Sequence, residues 1–103
     1  MKAVFLDGNR IENMAGIHAA FSEALDFPEY YGANLDALHD MLTEMTADDI
    51  IVIAVNTEKL ASNVGKRRWK SFLRLMGDME GSGAAFRFFP EPFPPEGEQI
   101  KDE

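Results

Sequence analysis

The run Ile50-Ile51-Val52-Ile53-Ala54-Val55 constrains the fold more than any other feature of the chain. A nearly continuous β-branched stretch without polar alternation is the pattern of a strand buried on both faces in the middle of a parallel sheet. Parallel strands need crossovers, and the flanking sequence supplies helical ones. Upstream, Met14, Ile17, Phe21, Ala24 and Leu25 recur at intervals of three and four, the stripe of an amphipathic helix that Asn13 can cap and that stops before Pro28. A second helix is expected to start at Asn34, another N-cap residue, with Leu35, Leu38, Met41, Leu42 and Met45 as its apolar face. Downstream, Asn56 or Thr57 can cap a short helix over 58–62. A longer helix over 66–79 then turns Trp69, Phe72, Leu73, Met76 and Met79 to one side.

Two further strands complete the pattern. Residues 2–6 are rich in Val, Phe and Leu and end in the turn signal Asp7-Gly8-Asn9; 84–89 follow Gly81-Ser82-Gly83 and are rich in aromatics. The order strand, helix, helix, strand, helix, helix, strand predicts an α/β fold, a small parallel sheet joined by right-handed crossovers with about four helices packed against it. The 103 residues, 46% of them hydrophobic, suffice for one modest core, so a single domain over 1–90 is expected. From Pro90 the sequence PEPFPPEGEQIKDE holds four of the five prolines and many acids. Residues 91–103 therefore read as an acidic, disordered C-terminal tail.

Charge narrows the function. Asp and Glu number 18 against 10 Lys and Arg, a formal net charge of -8. Binding a polyanion relies on Lys and Arg displacing counterions, so nucleic acid is a poor partner and a basic protein the natural one. The absence of cysteine excludes disulfides, thiolate nucleophiles and Cys-ligated zinc, and fits a reducing compartment. The opening MKAVFLDGNR is too short in apolar residues for a signal peptide, and no stretch approaches a membrane span. The expectation is a soluble cytoplasmic protein without membrane association.

Most of the functional information lies in 27–42. Asp36 and Asp40 are helical neighbours four apart, and Glu44 extends the row by a turn. Like charges at that spacing destabilise an isolated helix by roughly 0.2–0.5 kcal/mol per pair. Asp36 gains from the positive helix N-terminus; Asp40 lies beyond that region. Such a row is either a solvated face or a recognition surface, and Tyr30, Tyr31, Gly32 and Asn34 immediately before it add the amphipathic contact area of recognition surfaces. The tyrosines equally fit core aromatics with wet hydroxyls.

The segment FPEYYGANLDALHDML resembles the hallmark segment of the barstar family of ribonuclease inhibitors, and KAVFLDGNRI resembles that family's first strand and turn. The resemblance covers 1 to about 89 and implies a barstar-like three-stranded parallel sheet, a non-enzymatic role without cofactors, and a barnase-type extracellular ribonuclease as partner. It also implies Tyr30, Gly32, Asn34, Leu35, Asp36, His39, Asp40, Thr43 and Glu44 as the inhibitory surface, with Asp40 as the phosphate mimic. Two positions depart from the family. His39 stands where members commonly carry tryptophan, and the acid that members use on the last long helix has only Asp78 as a counterpart in Arg74-Leu75-Met76-Gly77-Asp78. These departures leave open a second role, a barstar-fold interaction or immunity protein whose basic partner is not a ribonuclease.

Other chemistries are weaker. Asp36-x-x-His39 has a carboxylate and an imidazole at metal-ligand spacing, but His18, the other histidine, has no acid at a matching position. Asp36, Asp40, Glu44 and His39 could divide acid and base roles, yet carboxylates in a row on one helix form no pocket, and no nucleophile elbow or phosphate loop accompanies them. Lys66-Arg67-Arg68-Trp69-Lys70 reads as a core tryptophan beside a solvated basic face, and Met41, Met45, Met76 and Met79 as core filler.

Overall fold

The computed structural model describes residues 1–92; residues 93–103, most of the expected tail, lie outside the described residues. The elements run β1 (Lys2–Asp7), α1 (Met14–Leu25), α2 (Leu35–Glu44), β2 (Ile50–Val55), α3 (Thr57–Val64), α4 (Lys66–Glu80) and β3 (Phe86–Pro90). The strands form one parallel sheet in the order β1-β2-β3, so the β-branched run is the central strand. Val4 is in register with Val52, and Val52 with Phe88. The α/β fold is the one the element order predicts.

The helix starts follow from capping. Asn13 and Asn34 hold extended backbones, and their side chains accept from Gly16 N and Ala37 N, each satisfying a donor that the helix start leaves free. Asn56 departs from expectation. It precedes α3 in the left-handed region (φ 52°) and makes no side-chain cap. Its amide instead donates to the Asp7 carboxylate at 2.8 Å, tying the ends of β1 and β2 together. Gly8 follows Asp7 because a Cβ there would collide with the Asn56 carbonyl.

The expected burial of β2 on both faces needs correction. Ile50, Val52 and Ala54 are buried, whereas Ile51, Ile53 and Val55 are only half-buried. The helices cover a single face, where Val4, Leu6 and Phe86 join these residues and Phe72 of α4 meets Phe21 of α1 and Phe88 of β3, each at a ring separation of 6.0 Å. The opposite face, with Ala3, Phe5, Arg87 and Phe89 around the half-buried β2 residues, is open. Apolarity alone does not reveal this, because aliphatic side chains suit a half-covered sheet as well as a covered one.

Trp69 is buried and stacks on Phe72, as expected of a core tryptophan. Met76 and Met79 are buried, and Met41 and Met45 pack against the core edge. Glu91, placed in the tail by composition, is tied to the folded body. Its N–H donates to Ala54 O at 2.8 Å, and its carboxylate accepts from Asn56 N at 2.6 Å.

Candidate partner-binding face

The loop before α2 sets the geometry of the face. Phe27 is buried and meets Tyr31 edge-on at 4.8 Å. Tyr31 N donates to Pro28 O, closing a tight turn. Tyr31 points inward and shares a 2.6 Å hydrogen bond with Nδ1 of buried His18 on α1. The two tyrosines thus divide: Tyr31 anchors the loop, and Tyr30 stands 84% exposed. Burial pushes the Tyr31 phenol up to about 12 and holds the His18 imidazole below its usual range.

The positive φ of this loop falls on Ala33 (φ 53°) rather than on Gly32. A Cβ on Gly32 would meet Asn34 Nδ2 at 3.4 Å and Ala37 Cβ at 3.7 Å, ordinary contacts. Backbone conformation therefore does not require glycine at 32; its bare backbone is simply exposed beside Tyr30. Asn34 then caps α2 through a 2.8 Å hydrogen bond from Ala37 N.

Leu38 and Leu42 are buried, and Leu35, Met41 and Met45 are half-buried against the core, which fixes the rotation of α2. Asp36, His39, Asp40, Thr43 and Glu44 are consequently all exposed. His39 Nδ1 lies 3.9 Å from the Asp40 carboxylate, and the Thr43 hydroxyl donates to His39 O at 2.7 Å. None of Asp36, Asp40 and Glu44 pairs with a lysine or arginine among the described residues. All nine positions singled out in the sequence lie on this one loop and helix, eight exposed and Leu35 at the border with the core.

The structure adds a neighbour that helix-by-helix reading does not supply. Packing of α2 on α4 brings Ser71, Arg74 and Asp78 to the edge of the face, where with Leu35, Asp36 and His39 they line a shallow depression of about 190 Å³. Asp78, the loose counterpart of the family's last-helix acid, therefore flanks Asp36 and His39. The signal in the sequence is the spacing 71, 74, 78, one stripe of a helix, but which element it faces depends on packing. Among the described residues no group of three or more His, Asp or Glu side chains is placed to hold a metal ion. No helix among them is long and apolar enough to cross a membrane.

A three-stranded parallel sheet covered on one face by helices, with an unpaired carboxylate row on a rigidly seated helix, defines the class: a small α/β domain with an exposed acidic face. The chain belongs to the Barstar family; the family described as Barstar (barnase inhibitor) matches residues 1–91. It is also similar to a Bacillus subtilis (strain 168) protein named "Putative ribonuclease inhibitor YrdF", 40% identical over 58 residues. That match spans 56% of this chain and 64% of the relative's length.

Proposed function

We propose that this chain is a non-catalytic inhibitor that seats the α2 face, centred on Asp40, in the active site of a barnase-type ribonuclease. The observation that carries this reading is the row Asp36, Asp40 and Glu44, exposed and without basic partners among the described residues, on a helix held rigid by Leu38 and Leu42. Family membership and the name of the Bacillus subtilis relative support it. A ribonuclease site gathers cationic and hydrogen-bond-donating groups around a scissile phosphate. A carboxylate fixed on a helix accepts the same charge-assisted hydrogen bonds and offers no bond to cleave. Tyr30, Gly32, Asn34, Leu35, His39 and Thr43 surround that carboxylate as contact surface, and bare Gly32 lets a partner approach the backbone closely.

The test is a ribonuclease assay with a barnase-type enzyme titrated by this protein and by its Asp40→Ala variant. Stoichiometric inhibition is expected from the parent, with binding weakened about 30-fold or more in the variant, the scale of an interface hot spot. Lys66→Ala, remote from the face, should change affinity less than about twofold, the scale of a contact-free surface substitution. Asp40→Ala should also leave stability within about 0.5 kcal/mol, because it removes like-charge neighbours from an exposed helix face. Equal effects of the two variants would contradict the assignment of the face.

A second reading, a basic protein partner that is not a ribonuclease, is favoured by His39 in the tryptophan position and by Arg74, a cation beside the acidic row. It predicts no inhibition in that assay, together with Asp40-dependent binding to another basic toxin.

A further inference from the structure

His39 sits in the middle of the acidic face, and histidine is the side chain that ordinarily changes charge between about pH 5 and 8. Its surroundings are mostly anionic. On α2, Asp40 follows it directly, with a carboxylate oxygen 3.9 Å from Nδ1, and Asp36 stands one turn before it. Across the packing of α2 on α4, Arg74 and Asp78 line the same shallow depression as His39. Three carboxylates and one guanidinium therefore surround the ring, and all five side chains are exposed. A separation of 3.9 Å is an ion-pair distance and not a hydrogen bond, so the attraction between His39 and Asp40 exists only while the ring carries a charge.

We propose that His39 makes the hold of this face on its partner pH-dependent: the neutral ring admits a cationic enzyme site, the imidazolium opposes it, and the inhibitor lets go in mild acid. The inference rests on the reading of α2 as the inhibitory face and adds the residue that decides when the face binds. In the free chain these charged groups stand in water, which screens them, so a proton on His39 meets little resistance. Seating the face in a ribonuclease site removes that water and brings the enzyme's cations onto Asp40, the carboxylate beside the ring. A positive His39 then faces like charge in a medium of lower dielectric constant and competes with the enzyme for Asp40. The proton that the free chain carries has to leave before the complex forms. One such proton lowers affinity by up to about tenfold per pH unit once most of the free rings carry it.

Inhibition constants of the full chain and of its His39→Gln variant against one barnase-type ribonuclease, measured at pH 7.5, 6.5 and 5.5, test this. The ratio of the two constants cancels the titration of the enzyme's own groups and of His18, which parent and variant share. The parent is expected to weaken relative to His39→Gln by about tenfold between pH 7.5 and 5.5, the size set by a single proton. His39→Phe, a ring without charge, should follow the pH dependence of His39→Gln, and far-UV circular dichroism at each pH checks that all three proteins are folded. A ratio that stays within about twofold, the scatter of a contact-free surface substitution, overturns the proposal and leaves the inhibitory reading standing. So does a pH dependence that persists in His39→Gln and disappears in His18→Gln, which would assign it to the loop anchor. Absence of inhibition at pH 7.5 by parent and variant alike overturns the reading of the face and this proposal with it.

Discussion

His18 and Tyr31 join α1 to the loop that presents the acidic face, and their burial makes the fold sensitive to pH at both ends. His18 is 4% exposed and its imidazole is held below the usual 6.5 by desolvation. Below that pH the unfolded chain takes up a proton that the folded chain resists. The contribution of neutral His18 is therefore fully present above about pH 6.5 and declines as pH falls below it. Tyr31, raised to about 12, works in the opposite direction: its contribution is complete below pH 10 and is lost as pH rises from about 10 toward 12. Asp7 is a separate case, because hydrogen bonds from Asn9 and Asn56 hold its carboxyl below the ordinary 3.8, so its stabilisation fades only in stronger acid. Urea melts at pH 7.5 and 5.0 are expected to show a loss of stability that His18→Gln largely removes. A wild-type midpoint unchanged between the two would count against this account of the pair.

Among the elements, α2 depends most on its own first turn. It is ten residues long, short for an independent helix, and its acidic row works against it. The Asn34 cap and the buried pair Leu38 and Leu42 offset that, while Ala33 holds a left-handed backbone that suits glycine better. Two substitutions next to each other should therefore act with opposite signs. Asn34→Ala should cost about 1 kcal/mol, or about 4–8 °C in Tm for a domain of this size. Ala33→Gly should raise Tm, because relief of the left-handed strain exceeds the added freedom of the unfolded chain. Differential scanning calorimetry of the pair decides it; lower Tm in both would show that the loop, and not the cap, limits α2.

At the scale of the whole molecule, the excess of acids over bases sets up a field that extends beyond any one contact. The acidic face of α2 belongs to a chain of net charge -8, so the proposed function predicts that its field steers the encounter with a basic ribonuclease before contact. Screening shortens that reach to about 10 Å at 0.1 M salt and about 3 Å at 1 M. Stopped-flow association with a barnase-type ribonuclease should slow by about tenfold or more between 0.01 and 0.5 M salt, with a smaller change in the dissociation rate. An association rate independent of salt would argue against steering by this face.

What local physics controls was legible in the amino-acid order. The order of elements, the Asn13 and Asn34 caps and the inward stripe of α2 all follow from contacts within four residues, and the candidate face was legible because its nine positions lie on one continuous loop and helix. What depends on which surfaces meet emerged only from the packing of the elements. It sent Tyr31 to His18 and left Tyr30 in solvent, and it turned Ser71, Arg74 and Asp78 toward α2. It covered β2 on one face only, moved Glu91 into the folded body, and closed the β3 edge with Glu80 while leaving the β1 edge open. Periodicity gives the direction of a side chain relative to its own element. Which other element stands in that direction is set by long-range packing, and no local pattern encodes it.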